Sequence, residues 1–332
     1  MKFIISLLLG CFFLSANVSA QKTDYPDFTI QKLSDGVYAA IAKNGGHAIC
    51  NAGIVDLGDA TLIFDPFMSV QAATDLKAAA EQLTLHPVKY VVNSHYHNDH
   101  IGGNQVFEGA SIISTYRTRD LIAENQPAEI EWGETKGAER LKKYTDVDVS
   151  KLSGHALEEH IMWTGYYETY VISNGVLKVV LPNVTMDDEL NIYGSKRRVQ
   201  LISHGAGHTE SDLYLYLPDE QIVFAGDLLF INNQPWIVDG DTEKWEATLT
   251  KITSLAVKNI VPGHGPVGTL ADIEKMEDYF HNVQETAQGY YNKGISPEEA
   301  EDLTSPAPYD AWYLSMFYKL NVMAAYKRMV KK

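Results

Sequence analysis

The chain has 332 residues, 45% hydrophobic and 21% charged, which excludes a disordered chain and disfavours an integral membrane protein. Its net charge of −16 excludes a broad basic surface of the kind that binds nucleic acid, since no basic cluster exceeds the short run at residues 196–198. We therefore expect a small-molecule substrate and no nucleic-acid partner.

The first twenty residues have the pattern of a secretory signal peptide, with Lys2 followed by an apolar run over residues 3–14 and then by small residues. The run is too short to span a bilayer comfortably. We predict cleavage after Ala20 and a periplasmic or secreted protein without a membrane segment. Lipidation at Cys11 is the alternative, although the apolar run continues past that residue. The mature chain would keep only Cys50, which we expect to be buried.

In chain order, the sequence predicts two β-rich halves, each with a helix between strands. Apolar stretches bounded by Gly, Asn and Asp are typical of short strands joined by tight turns. The predicted elements of the first half are strands at 37–41, 52–56, 61–65 and 88–92 and a helix at 69–83. Those of the second half are strands at 198–203, 212–217, 221–225 and 259–261 and a helix at 242–255. Functional groups of layered α/β folds collect at one end of the sheet, so polar motifs that follow strands are candidates for function.

Two regions lie outside this pattern. A helical insertion is predicted at about residues 118–170, and a helical extension is predicted at 269–332, packed on the main domain at 21–268. The insertion is rich in aromatic residues: Trp132, Trp163, Tyr166, Tyr167 and Tyr170. These rings would either line a substrate pocket or pack a core or a subunit contact.

A dense group of metal-ligand residue types follows the strand predicted at 88–92. Within six residues stand His95, His97, Asp99 and His100. Residues two apart on an extended segment point the same way, so His95 and His97 can bind one cation together. Asp99 and His100, at the turn into the next helix, are then free to face a second cation. Imidazole and carboxylate suit zinc and several other first-row metals.

Three more candidates stand where strands of the second half end. They are His208, Asp227 and His264, and each follows a glycine that lets the backbone turn sharply. Together with the first group they complete two coordination spheres. No convincing Ser/His/Asp or Cys/His constellation accompanies them, so the sequence indicates metal rather than nucleophilic catalysis.

This His-x-His-x-Asp-His run, followed by a distant His, Asp and His, resembles the signature of the metallo-β-lactamase fold superfamily over about residues 36–268. The resemblance implies an α/β fold, a four-layer αββα sandwich with a dinuclear site at one edge. It implies that His95, His97 and His208 hold the first metal, that Asp99, His100 and His264 hold the second, and that Asp227 bridges them. Two zinc ions are expected, with iron or manganese as alternatives. A metal-bridging hydroxide oriented by Asp99 would attack a carbonyl carbon.

The sequence indicates two classes of substrate. The segment around Asp227 resembles zinc-dependent β-lactamases, but those with the closest surrounding sequence carry Cys at that position. They also carry Lys where this chain has Phe230, and a ring cannot replace the lysine's pairing with a β-lactam carboxylate. A bridging aspartate resembles instead lactonases and thioesterases of the glyoxalase II type. We expect an exported hydrolase of carbonyl C–N or C–O bonds, β-lactamase-like first, with a lactonase or ester/thioester hydrolase as the alternative. His47, Phe230 and Asn233 are the candidate substrate contacts.

Overall fold

The computed structural model describes residues 23–300 and 303–331. The predicted signal peptide, its cleavage site and Cys11 lie outside these ranges. The described helices are α1 (Val70–Thr84), α2 (Asn98–Ile101), α3 (Tyr116–Thr145), α4 (Gly154–Ser173), α5 (Thr242–Thr253), α6 (Leu270–Lys293) and α7 (Phe317–Lys331). Within these ranges no helix combines the length and the apolar composition that crossing a bilayer requires.

The first sheet has seven strands in chain order. They are β1 (Phe28–Ser34), β2 (Val37–Ala42), β3 (Ala52–Asp56), β4 (Thr61–Phe64), β5 (Val88–Val92), β6 (Ser111–Thr115) and β7 (Val184–Met186). The first four pair antiparallel, and β4 to β7 pair parallel. Helix α1 makes the crossover from β4 to β5, as parallel pairing demands. It begins where the Ser69 hydroxyl accepts a hydrogen bond from the amide of Ala72 and ends at Leu85 in a left-handed conformation.

The second sheet has five strands in the order β12-β11-β10-β9-β8. They are β8 (Glu189–Tyr193), β9 (Arg198–Gly205), β10 (Asp212–Leu217), β11 (Ile222–Phe230) and β12 (Asn259–His264). Strands β11 and β12 are parallel and are joined through α5, whereas the other pairs are antiparallel. The structure extends β11 well beyond its predicted end, so that Asp227 lies inside this strand rather than after it.

The two sheets pack face to face through a continuous apolar layer. Val55 and Leu62 of the first sheet and Leu213 of the second belong to this layer and are fully buried. The rings of Phe64 and Phe224 meet across it with centroids 6.0 Å apart. Burying one such side chain contributes roughly 1.5–3 kcal/mol, so this layer is a main source of stability.

Helices cover both outer faces of the sandwich. The apolar face of α1 packs on the first sheet, and α5, α6 and α7 pack on the second. The predicted four-layer αββα architecture is therefore confirmed. The insertion forms the long helices α3 and α4, which pack against each other where Gly133 approaches the Tyr170 ring. A Cβ at Gly133 would lie 2.4 Å from that ring, which leaves no space for a larger residue.

Candidate metal centre

The seven predicted ligands lie at one edge of the sandwich. His95 and His97 follow β5, and the short helix α2 carries Asp99 and His100. The other three come from the second sheet: His208 follows β9, Asp227 lies in β11 and His264 ends β12. Their ligand atoms form two groups, each with all atoms within 4.8 Å of one another. The first group is His95, His97, His208 and Asp227, and the second is Asp99, His100 and His264.

Asp227 lies between the two groups and faces both. Its Oδ2 lies 3.3 Å from Nε2 of His208 and 3.8 Å from Nε2 of His95. Its Oδ1 lies 3.0 Å from Nε2 of His100 and 3.4 Å from Nε2 of His264. Each carboxylate oxygen therefore serves one group, which is the geometry of a bridging ligand.

Glycines next to the ligands act in two ways. Gly226 has a φ of +54°, and it lies at an irregularity in the pairing of β11 just before Asp227, not at the end of a strand as predicted. Gly263 instead permits a close approach, because a Cβ there would lie 1.9 Å from Oδ1 of Asp227. The backbone of β12 can thus pass directly beside the bridging carboxylate.

The unpaired polar atoms of this cluster fit a divalent cation. Within the described ranges, Nε2 of His95, Nε2 of His100 and Oδ1 of Asp227 are buried without a hydrogen-bond partner. Such atoms carry a large desolvation cost in a folded protein. His100 Nε2 and Asp227 Oδ1 are close enough to bond, yet their orientation does not form a hydrogen bond. A cation between them would satisfy both lone pairs, and this set of nitrogen and oxygen donors suits zinc, iron or manganese.

The pKa shifts of the histidines differ in direction within the cluster. Burial lowers the pKa of His95 well below its usual value and lowers that of His208 to about 3, so both rings are neutral at physiological pH. Burial also acts on His264, but the Asp227 and Asp99 carboxylates outweigh it and raise the pKa of His264 to about 9. Acidic neighbours also raise the pKa of His100 in this group and of His97 in the first group. A metal in the second group must therefore displace protons from both His264 and His100.

These protons make metal affinity depend on pH. Because the raised pKa of His264 keeps its ring protonated below about pH 9, we expect affinity to fall as pH falls. Each displaced proton contributes roughly tenfold per pH unit, so displacement from both His100 and His264 gives a steeper slope than displacement from one. Chelator competition between about pH 6 and pH 8, corrected for the chelator's own protonation, measures this slope. A flat profile over that interval would contradict the assigned protonation.

Asp65, which the sequence analysis did not single out, holds the ligand loop in place. This fully buried residue follows β4, and its Oδ1 accepts a 2.8 Å hydrogen bond from the amide of Ser94. Its Oδ2 accepts hydrogen bonds from the Ser94 hydroxyl at 2.7 Å and from Nδ1 of His100 at 2.8 Å. The Ser94 hydroxyl also lies 2.9 Å from Nδ1 of His95. One carboxylate thus orients a ligand ring in each group.

A cavity of about 520 Å³ opens above the cluster. Ligands from both groups form its floor: His97, Asp99, His208, Asp227 and His264. Its walls are mostly apolar and come from α3, α4, the segment before α7 and α7 itself; they include Trp132, Trp163, Tyr166, Tyr167 and Phe317. The aromatic residues of the insertion therefore line the cavity, and they also pack against one another in a cluster of their own. These rings therefore both line a pocket and pack a small core.

The three candidate substrate contacts have different positions. Phe230 and Asn233 line the cavity, and the Phe230 ring stacks on His264 with centroids 5.1 Å apart. His47 does not belong to the cavity lining, contrary to expectation. Its Nδ1 lies 3.3 Å from Asp27 and its Nε2 lies 3.6 Å from Glu168, so it ties the 43–49 loop to α4 instead.

A sequence model of the metallo-β-lactamase superfamily matches residues 45–264, about two thirds of the chain, and spans all seven ligands. The chain belongs to the metallo-β-lactamase superfamily. It is thus a metal-dependent hydrolase, as predicted. A type 2 metallo-β-lactamase of Pseudomonas aeruginosa is 22% identical over 79% of this chain and 87% of its own length. A linear primary-alkylsulfatase of a Pseudomonas species is 22% identical over 78% of this chain, but the match spans only 51% of that longer protein.

Solved structures share the fold of this superfamily member. A metallo-β-lactamase from Pontibacter korlensis superposes with a TM-score of 0.56 at 18% identity, covering 76% of this chain and 97% of that one. The DIM-1 metallo-β-lactamase gives a TM-score of 0.53 at 15% identity, over 76% and 96% of the two chains.

The C-terminal extension lies beyond the part that matches the superfamily, yet it supports the loop that carries Asp239, a neighbour of the metal centre. Asp239 places Oδ2 3.4 Å from Nε2 of His97 and accepts a 2.8 Å hydrogen bond from the Trp236 indole. The loop around Asp239 is held by Arg328 of α7. The Arg328 guanidinium donates to the carbonyls of Ile237, Val238 and Gly240 at 2.7–3.0 Å.

We expect Arg328→Met to loosen this loop. The two N–H groups of one guanidinium nitrogen, which three carbonyls share, are lost, so the protein should be destabilised by about 2 kcal/mol. Metal affinity should fall because Asp239 no longer orients His97. Thermal unfolding and chelator competition measure the two effects. The matched control is Lys327→Met, which removes only an exposed ion pair with Glu298. Equal behaviour of the two variants would show that the loop needs no support from α7.

Proposed function

We propose that this chain is an exported dinuclear zinc hydrolase that opens a carbonyl C–O bond in an ester or lactone without an anionic group beside that bond. The observation that carries the proposal is the position of two complete ligand groups at the floor of an apolar cavity without a free basic side chain. Lys43 is the only Lys or Arg among the described residues that line it. Its ammonium is paired with Asp24 at 2.6 Å and also donates to the carbonyl of Tyr25.

This cavity favours the second of the two substrate classes that the sequence indicated. A β-lactam carries a carboxylate near its reactive carbonyl, and that carboxylate needs a charge-assisted hydrogen bond when it leaves water. Phe230 occupies the place where related β-lactamases carry a lysine, and its ring is buried against His264. The anionic group of an alkyl sulfate would likewise lack a basic partner in this cavity. An uncharged acyl group, by contrast, is stabilised by the aromatic walls.

The chain's own residues support metal-assisted attack by water. Two divalent cations, when bound, supply Lewis acidity and lower the pKa of a water molecule to about 7. Asp99 lines the cavity floor, and its pKa is lowered because His100 and His264 outweigh the effect of burial. As a carboxylate, it can orient the attacking water and accept its proton.

Cys50 does not compete as a nucleophile. It is fully buried, and its thiol donates to the backbone carbonyl of Asp99 at 3.0 Å. Burial raises the pKa of this thiol to about 12, so almost no thiolate forms at neutral pH. Its position instead supports the segment that carries Asp99.

The test is a substrate panel on the zinc-loaded protein: an acyl lactone, an aryl ester, a thioester, nitrocefin and an alkyl sulfate. We expect kcat/KM for the lactone or the ester to exceed that for nitrocefin by at least about a hundredfold, because the cavity leaves a β-lactam carboxylate unpaired. Asp99→Asn should lose activity on every substrate. Preference for nitrocefin would instead support the β-lactamase interpretation. Metal analysis of protein from its native compartment would identify the ions. The compartment in which the protein is found would test export.

A further inference from the structure

One acidic side chain in the cavity has no role in the ligand groups. Glu129 of α3 lines the cavity, and its Oε1 accepts a 2.7 Å hydrogen bond from the Tyr170 hydroxyl. No Lys, Arg or His of the described part of the chain forms an ion pair with it. Burial raises the pKa of its carboxyl, consistent with a charge that lacks a compensating partner.

Aromatic rings surround this carboxyl. Trp132 lies almost one turn further along α3, also lines the cavity, and contacts the Tyr170 ring edge-on at 5.2 Å. The hydroxyls of Tyr166 and Tyr170 lie 3.1 Å apart, so Tyr166 extends the same wall. A carboxylate among aromatic rings attracts organic cations, because the ring faces and the carboxylate oxygens are all negative.

A carboxylate in an apolar cavity with one hydrogen bond and no cationic partner is unfavourable unless a cation binds to it. From the isolated Glu129, its aromatic neighbours and the lack of a free basic residue in the lining, we propose that this wall binds an organic ammonium group. If the proposed function holds, the substrate is an ester or lactone that carries a protonated or quaternary amine. The ammonium binds at Glu129 while the carbonyl lies over the metal centre.

Binding without turnover tests the cation site separately from hydrolysis. The zinc-loaded protein is titrated with benzyltrimethylammonium and with neopentylbenzene, its uncharged isostere, and tryptophan fluorescence is followed. We expect the cation to bind at least about tenfold more tightly. Glu129→Gln should abolish this preference, whereas Glu131→Gln, which changes an exposed residue of the same helix, should keep it. Circular dichroism and metal content show whether each variant folds.

Equal affinity of the wild-type protein for the two ligands, or binding of neither, overturns the inference, as does an unchanged preference in Glu129→Gln. A kinetic comparison extends the test: acetylcholine against 3,3-dimethylbutyl acetate, its neutral isostere. We expect Glu129→Gln to raise KM for the cationic ester with little change in kcat. If neither ester is hydrolysed while the ammonium binds selectively, the proposed hydrolysis fails and the cation site stands. If the neutral ester is hydrolysed and no cation preference exists, the cation site fails and the proposed hydrolysis stands.

Discussion

Asp227→Ala should lose bound metal and most hydrolytic activity together. Its two oxygens face different ligand groups at 3.0–3.8 Å, so one truncation removes a ligand from both. We expect fewer than two metal ions per chain and a decrease in kcat/KM of at least about a hundredfold, because Lewis acidity and water activation both depend on the ions. Metal analysis of purified protein and steady-state kinetics measure these effects.

Two further variants sharpen this experiment. Asp227→Asn keeps the shape of the side chain and one carbonyl oxygen, so it should keep the metal of one group better than that of the other. Asp219→Ala removes an exposed carboxylate near the start of the same strand and should leave metal content and activity unchanged. An Asp227→Ala protein with two bound metals and full activity would refute the bridging role.

The strands that the sequence located best are those bounded by turn residues. The predicted bounds of β3, β5 and β10 agree with the structure at both ends. Strands β1, β6, β7 and β8 were not predicted. Strand β7 has only three residues, and it is held by its parallel pairing with β6 rather than by an apolar pattern of its own. Such a strand depends on contacts that are remote in sequence.

The residues of the candidate site also differ in whether the local sequence reveals them. The ligand residues could be recognised because metal-ligand chemistry concentrates in one short run and after glycines at strand ends. Asp65 acts only through hydrogen bonds to a loop 29 and 35 positions away, and Arg328 acts on a carbonyl 88 positions away. Nothing in the local sequence distinguishes these two residues from an ordinary aspartate and an ordinary helix arginine. A signal existed for Asp65 alone, since it follows a strand end as several ligands do.

The cavity shows how three parts of the chain combine around one metal centre. The sandwich supplies the ligands at its edge, whereas the 43–49 loop, the insertion and the extension supply the walls. Gly165 of α4 allows this arrangement, because a Cβ there would lie 2.5 Å from the carbonyl of Gly45. The walls are therefore built mainly from segments other than those that carry the ligands. Substrate class should be encoded in the insertion and the extension, while the reaction type is encoded in the sandwich.

Asp65→Asn is the second substitution for which we expect a large effect. Asn can accept with its oxygen but would turn an N–H group toward one of the present donors, either the Ser94 hydrogen bonds or Nδ1 of His100. Asp65 has a φ of +54°, a conformation that Asn adopts readily, so any effect comes from the side chain and not from backbone strain.

Because this network is fully buried, we expect Asp65→Asn to lower the free energy of unfolding by about 3 kcal/mol and to weaken metal binding by roughly 10- to 100-fold. Denaturant titration of the metal-free protein and chelator competition measure the two effects separately. Asp120→Asn, at an exposed position of α3, is the matched control. If metal affinity fell without any loss of stability in the metal-free protein, Asp65 would act only by orienting His100. If stability fell while affinity stayed unchanged, the ligand rings would be held by the sandwich itself and the orienting role would be refuted.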